Sequence, residues 1–159
     1  MRERAAIALG SNLGDSLAIL MGSIDTLFRH PQIAEVARSP WYRTQPVGPP
    51  QPEYINGCVV VEVTLSPDAL LKVLLDIESR FDRVRRERWG PRTLDLDVIL
   101  YGDRILDTPD LQIPHPRFRD RAFVLVPLAD VAPHWIDPVS GQSVTDLLKA
   151  VDCSDVRLL

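Results

Sequence analysis

Two aspartates, Asp95 and Asp97, stand one residue apart in the apolar segment TLDLDVILYG, residues 93–102. In a helix they would point to nearly opposite sides, whereas in a strand they share one face, with backbone positions roughly 6.6 to 6.8 Å apart. Carboxylates this close repel each other unless a cation lies near them. Oxygen ligands at this spacing suit Mg²⁺, and two ions about 3.5 to 4 Å apart would fit within their reach. The same alternation predicts an apolar opposite face formed by Leu94, Leu96, Val98 and Leu100.

The structural alternative for this pair is an acidic strand edge in water, or ion pairs with nearby arginines. The preceding stretch is indeed rich in arginine and contains Trp89-Gly90-Pro91. Guanidinium groups and magnesium carboxylates together are typical of sites for nucleotide polyphosphates. A P-loop motif is missing, and the residues from Gly10 to Gly14 do not match a dinucleotide fingerprint. The arginines of this stretch are Arg80, Arg83, Arg85, Arg86, Arg88 and Arg92.

Hydrophobic periodicity predicts the elements that must position these residues. We expect strands at 5–12, 33–44, 54–65 and 93–102. Helices are expected after Asp15 or Ser16, which can cap the first, and after Ser66-Pro67, which can begin the second. Residues 45–53 form a proline-rich loop, 103–120 an irregular connection and 121–133 a further short helix. The order β-α-β-β-α-β predicts an α+β protein of the ferredoxin-like class, with helices packed on an antiparallel sheet.

The composition is that of a globular protein, with 159 residues, 45% hydrophobic and 25% charged residues. This length fits one domain, residues 1–159. Because no apolar run reaches about 18 residues and no signal peptide is recognisable, we expect a cytoplasmic protein without a membrane partner. A net charge of −4 argues against a general nucleic-acid partner. Cys58 and Cys153 have no companions at metal-ligand spacing, so neither a zinc site nor a disulfide framework is indicated. We expect a monomer.

Four segments together resemble the 6-hydroxymethyl-7,8-dihydropterin pyrophosphokinase family. They are ALGSNLGD (8–15), YRTQPVG with YIN (42–56), RVRRERWGPRTLDLDVILYG (83–102) and IPHPRFRDRAFVLVPLADVAP (113–133). They follow the family's order and cover most of the chain. The resemblance implies a three-layer ferredoxin-like fold. It also implies transfer of the terminal diphosphate of ATP to a pterin hydroxymethyl group, with release of AMP, in folate biosynthesis.

The resemblance also implies a role for individual residues. Asp95 and Asp97 correspond to ligands of two Mg²⁺ ions. Arg83, Arg85 and Arg92 correspond to the cations that contact ATP and the transferred diphosphate, and Arg83 and Arg92 are implied to be catalytic. The other positions on the nucleotide side are Trp89, Val98, His115 and Arg121. Tyr54 and Phe123 would sandwich the pterin, while Asn56 and the backbone near Thr44 and Val47 would recognise its amide edge. By the same resemblance, Trp89 would belong to the loop that closes the site and would contact both substrates.

Alternatives remain open on the residues alone. Phe123 could be ordinary core, Tyr54 could simply begin a strand, and His115 between two prolines could be a turn residue. Glu78 fits either the active site or a solvated helix face. A nucleotidyl- or sugar-transferring enzyme would share the Asp-x-Asp pair, but it would not require Tyr54, Asn56 and Phe123 together. Nucleotidyl transfer would also release diphosphate, whereas diphosphate transfer releases AMP. An RNA-recognition domain shares the β-α-β-β-α-β order, but it needs stacking aromatics on its central strands, where AAIALGS and CVVVEV are found.

Overall fold

The structure, a computed structural model, describes residues 2–12, 15–44, 53–81 and 94–159. Its elements follow the order expected for a ferredoxin-like chain, with additions at the C-terminal end. The strands are β1 (Glu3–Ser11), β2 (Ile33–Arg38), β3 (Tyr42–Thr44), β4 (Tyr54–Val63), β5 (Asp95–Tyr101), β6 (Leu106–Asp107), β7 (Gln112–Ile113) and β8 (Arg157–Leu158). The helices are α1 (Ser16–Phe28), α2 (Pro67–Phe81), α3 (Ala122–Val131) and α4 (Val144–Lys149), with a 3₁₀ turn at Phe118–Asp120.

The main sheet has the strand order β5-β1-β4-β3-β8. The strands β2 and β3 pair with different halves of the same edge of β4. Every pairing in it is antiparallel. Because β1 and β2 both run antiparallel to β4, they are parallel to each other, and α1 makes the crossover between them. The helix α2 makes the matching crossover from β4 to β5. This is the split β-α-β arrangement, and the predicted fold class is confirmed.

Both crossover helices begin where the sequence predicts. The Asp15 carboxylate accepts a hydrogen bond from the Ala18 amide at 3.4 Å, so Asp15 rather than Ser16 caps α1. The Ser66 hydroxyl accepts one from the Ala69 amide at 3.2 Å, and Pro67 opens α2. Such caps satisfy amides that have no partner within the helix.

Two hydrophobic cores lie on opposite faces of the sheet, which gives three layers. One core joins the sheet to α1 and α2, through residues such as Leu20, Leu74 and Val61. The other joins it to α3 and α4, through residues such as Leu125, Leu147 and Val60. None of the described helices has the length and apolar character needed to cross a membrane.

The prediction of one strand over residues 33–44 is wrong, because the chain breaks at Ser39-Pro40 into β2 and β3. Proline has no amide to donate to a ladder. Ser39 spans the break, since its amide donates to the Cys58 carbonyl and its hydroxyl accepts from the Cys58 amide, both at 2.9 Å. The prediction of an irregular connection over 103–120 is also incomplete, because β6 and β7 pair there and the 3₁₀ turn follows.

The apolar alternation along β5 is interrupted by a bulge. Ile7 pairs with Val98 and Ala6 with Leu100, which leaves Ile99 as the extra residue. A bulge reverses the side-chain alternation beyond it. Leu94, Leu96 and Val98 therefore lie in the core beneath α1 and α2, as predicted, but Leu100 lies in the core beneath α3. The prediction that Leu100 shares their face is wrong.

A buried carboxylate holds the chain between α3 and α4. Asp137 is 0% exposed and makes an ion pair with Arg119. It also accepts hydrogen bonds from the Ser140 hydroxyl at 2.7 Å and the Val139 amide at 3.0 Å. Burial alone would raise the pKa of Asp137, but the hydrogen bonds from Arg119, Ser140 and Val139 lower it to about 2.

We expect Asp137→Asn to reduce the free energy of unfolding at pH 7 by about 2 to 4 kcal/mol, because it breaks a buried charge pair. Because folding lowers the pKa of Asp137, its ionised carboxylate stabilises the fold at pH values above 3.8, the ordinary pKa of the group. This contribution is lost as the pH falls towards 2, so the gap between variant and wild type should narrow between those values. Urea unfolding at a series of pH values measures this difference in the free energy of unfolding. Asp103→Asn, at an exposed position, is the control, and equal destabilisation by both substitutions would contradict the prediction.

Candidate active site

The strand β5 places Asp95 and Asp97 on one face of the sheet. Asp95 pairs with Gly10 and Asp97 with Ala8, while Leu96 between them points into the core. Both aspartates line a cavity of about 440 Å³, whose floor includes Ala8 and Gly10. The shared face that the sequence predicts is present.

A helix residue supports this strand from the side. Glu78 of α2 accepts a hydrogen bond from the Leu96 amide at 2.7 Å. Because β5 is an outer strand of the sheet, that amide needs a partner from outside the ladder. Glu78 is partly buried rather than on a solvated helix face, and it fixes the backbone between the two aspartates.

A second wall of the cavity comes from β3 and β4. Thr44, Tyr54 and Asn56 line the cavity. The Thr44 hydroxyl donates to Oδ1 of Asn56 at 3.1 Å, which leaves the Asn56 Nδ2 group as the donor. A methyl group at Gly10 would lie 2.9 Å from that nitrogen, so only glycine allows the Asn56 amide to lie against β1.

The start of α3 forms the facing wall. Phe123 lines the cavity and is 36% exposed, so the alternative that it is core is wrong. Arg121 precedes the helix, and its guanidinium carbon lies 5.7 Å from the centre of the Phe123 ring. Tyr54 and Phe123 thus present aromatic surface to one cavity, with a cation beside one ring.

His115 lies where this cavity meets a second one. Its Nδ1 accepts a hydrogen bond from the Arg117 amide at 3.3 Å, so the neutral ring carries its proton on Nε2. Burial lowers the pKa of His115; Asp97 opposes this shift, and Arg121 and Arg117 add to it. The ring is therefore a neutral N–H donor at pH 7. The turn contact and the cavity position coexist, so the two interpretations of His115 do not exclude each other.

The second cavity, of about 270 Å³, shares Asp97 and His115 with the first. It contains Val98, which the family resemblance assigned to the nucleotide side. Its apolar wall includes Leu71 on α2 and Leu111 beside β7. Sequence reasoning missed both, because Leu71 belongs to no motif that the sequence singled out and Leu111 fell in a segment predicted to be irregular. Its remaining lining residues are Leu96, Pro109, Asp110, Gln112 and Pro116.

Five predicted site residues lie outside the described residues, so their positions are not part of this geometry. They are Val47, Arg83, Arg85, Trp89 and Arg92. The structure brings together the other nine: Thr44, Tyr54, Asn56, Asp95, Asp97, Val98, His115, Arg121 and Phe123.

The family model described as 7,8-dihydro-6-hydroxymethylpterin-pyrophosphokinase (HPPK) matches residues 6–133. The chain belongs to this family. As a member, it is an ATP-dependent pterin pyrophosphokinase of folate biosynthesis.

Individual relatives agree. A protein of Synechocystis sp. named 2-amino-4-hydroxy-6-hydroxymethyldihydropteridine pyrophosphokinase is 53% identical over 152 residues, covering 96% of this chain and 78% of the relative. A protein of the same name from Pseudomonas aeruginosa is 44% identical over 160 residues, covering 100% and 98%.

Among solved structures, wild-type Plasmodium falciparum HPPK-DHPS with pteroate matches with a TM-score of 0.74 at 14% sequence identity. The match covers 94% of this chain, which spans 42% of that longer one. At this identity the likeness supports the fold alone.

Family membership decides between the activities that the sequence left open. Diphosphate transfer to a pterin is the reaction, so the nucleotidyl- or sugar-transfer alternative and the RNA-recognition alternative are both wrong.

The contact between Glu78 and Leu96 predicts an effect on turnover. Glu78→Ala should lower kcat roughly tenfold or more, because the amide between the aspartates loses its partner and β5 loses its fixed position. Glu78→Gln keeps an oxygen acceptor and should retain most of the activity. AMP formation measures turnover, and hydrogen exchange at the Leu96 amide should accelerate in Glu78→Ala only. Wild-type turnover and exchange in the alanine variant would show that Glu78 does not brace the strand.

Proposed function

We propose that the first cavity holds the pterin and the diphosphate in transit, while the second holds the nucleotide base of ATP. The observation that carries this division is the junction of the two cavities at Asp97 and His115. A group transferred between two substrates must pass such a junction, and one proposed metal ligand, Asp97, lies at it, while the other, Asp95, lines the first cavity.

For the pterin, we propose stacking between Tyr54 and Phe123, with hydrogen bonds from the Asn56 Nδ2 group and the backbone at Thr44 and Val47. A flat polar heterocycle needs aromatic faces and a few fixed polar contacts. The placement of Tyr54, Asn56 and Phe123 around one cavity supports this. The hydrogen bond from Thr44 supports it too, because it orients the Asn56 amide before a ligand arrives.

We propose that Asp95 and Asp97 hold two Mg²⁺ ions. Their donor set fits, because both supply carboxylate oxygens from one cavity face. Within the described ranges, no group of three or more His, Cys, Asp or Glu side chains could hold a metal. Phosphate oxygens and water would therefore have to complete each coordination shell, as is common for Mg²⁺. Bound Mg²⁺ neutralises phosphate charge and lowers the pKa of a coordinated hydroxyl.

The nucleotide would lie with its base against Leu71, Val98 and Leu111 in the second cavity. The neutral His115 would donate from Nε2 to a phosphate oxygen, and Arg121 would add a fixed positive charge beside it. We propose the same phosphate role for Arg83, Arg85 and Arg92, and a covering role for Trp89, from the family resemblance of their segment.

In the proposed reaction, the hydroxymethyl oxygen of the pterin bonds to the β-phosphorus of ATP. The bond from that phosphorus to the oxygen bridging to the α-phosphate breaks, AMP leaves with that oxygen, and the proton of the hydroxyl is released to water. The chain's own contribution is positioning and electrostatic stabilisation. Tyr54, Asn56 and Phe123 would orient the acceptor, while His115 and the arginines would stabilise the charge that develops on the phosphates.

Substituting the metal ligands tests the proposal. Asp95→Ala or Asp97→Ala should reduce kcat at least about a hundredfold, because these carboxylates contribute charge and geometry in the transition state. Circular dichroism should be unchanged, since both side chains face the cavity rather than the core. The assay is AMP formation from Mg-ATP that appears only when 6-hydroxymethyl-7,8-dihydropterin is present. Asp103→Ala is a matched control, and near-normal magnesium-dependent activity in either cavity variant would remove the metal assignment.

Four expectations from the sequence stay predictions: a single domain over residues 1–159, a monomer, a cytoplasmic location, and no nucleic-acid partner.

A further inference from the structure

The C-terminal segment contributes to the cavity although the family model ends at residue 133. Asp152, Asp155 and Val156 all line the larger cavity. No sequence motif singled these residues out, and the reaction proposed above gives them no role.

Strand pairing fixes this segment at one end of the cavity. Leu158 and Arg157 of β8 pair with Tyr42 and Arg43 of β3, and the Leu159 amide donates to the Trp41 carbonyl at 3.0 Å. The next residue of β3 is Thr44, which orients the Asn56 amide. The tail is therefore a built wall of the cavity rather than a loose end.

The sheet register sets the direction across the cavity. One cross-strand row runs through Asp95, Gly10, Asn56, Tyr42 and Leu158. Its first member is a proposed metal ligand on one outer strand, and its last lies in the tail on the other outer strand. A pterin whose hydroxymethyl group faces Asp95 across Asn56 would direct its opposite edge towards the tail.

The two tail aspartates are not equivalent. The Asp152 carboxylate accepts from the Ser154 amide at 2.9 Å and so shapes the turn, which a bond from the Val156 amide to the Cys153 carbonyl at 3.0 Å also closes. Asp155 makes no hydrogen bond or ion pair with any residue in the described part of the chain, and it is exposed. Its carboxylate is available as an acceptor.

The chemistry of the tail wall suits a ligand that donates N–H groups. No metal-binding group of three or more side chains occurs in the described ranges, so the tail aspartates do not join Asp95 and Asp97 in one site. A carboxylate offers acceptors only and can take two parallel N–H groups. The family's substrate carries a 2-amino group, on the pteridine ring opposite the 6-hydroxymethyl group.

We propose that Asp155 is a specificity-determining residue that accepts N–H groups from the 2-amino edge of the pterin. This inference rests on the proposed function, because it takes the first cavity as the pterin site. The tail thereby recognises the end of the substrate that is remote from the reacting hydroxyl.

The test compares Asp155→Asn with wild type, using Asp103→Asn as the control for loss of an exposed carboxylate. Calorimetric binding of 6-hydroxymethyl-7,8-dihydropterin is measured in the presence of a non-hydrolysable ATP analogue and Mg²⁺. The measurement is repeated with the analogue that carries oxygen in place of the 2-amino group. We expect Asp155→Asn to weaken pterin binding about tenfold, as for the loss of one charge-assisted hydrogen bond. Binding of the 2-oxo analogue, and the KM for ATP, should stay near their wild-type values.

The wild type is expected to bind the 2-amino compound more tightly than the 2-oxo analogue. If Asp155→Asn keeps this difference in affinity in full, the proposed role of Asp155 is wrong. That result would leave the proposed function intact, because the wild type would still bind the pterin and turn it over. Failure of the wild type to bind the pterin at all would instead remove the proposed function, and this inference with it.

Discussion

The antiparallel register of β1 against its two neighbours is the constraint on which the site depends. β1 lies between β4 and β5, and Gly10 pairs with Asn56 on one side and with Asp95 on the other. A shift of one residue would turn these side chains to the opposite face of the sheet. The large apolar core beneath α1 and α2 resists such a shift, because Leu9, Leu96 and Val61 would then leave it. Apolar packing on one face of the sheet thus holds the polar side chains of Asn56 and Asp95 in place on the other face.

The carboxylates of Asp95 and Asp97 lie close enough to repel each other, and the surrounding residues differ in how they affect this pair. Glu78 holds the backbone between them by accepting a hydrogen bond from the Leu96 amide. His115, which burial and two arginines keep neutral, can donate to a phosphate without adding a full charge. Positive charge near the junction comes from Arg121 and Arg117, and in the proposed complex from Mg²⁺ as well. The site is thus prepared for a highly charged substrate that arrives with its own cations.

Much of this arrangement could be predicted from the sequence, because its signals are local. Alternation along residues 93–102 was enough to place Asp95 and Asp97 on one face, and the caps at Asp15 and Ser66 were enough to begin both crossover helices. The bulge at Ile99 could not be predicted, since it depends on how β5 meets β1. Leu71 and Asp155 were missed for the same reason. Their neighbours along the chain say nothing of the cavity walls, which form only when distant segments pack together.

In the proposed complex, the shared face of Asp95 and Asp97 holds metal ions against the phosphates of ATP. Anomalous diffraction from crystals grown with Mn²⁺, a non-hydrolysable ATP analogue and the pterin tests this most directly, because each metal ion gives its own peak. We predict two peaks about 3.5 to 4 Å apart, both within coordination distance of carboxylate oxygens of Asp95 or Asp97. Bound substrates with no peak beside these residues, and with both carboxylates paired to arginines instead, would contradict it.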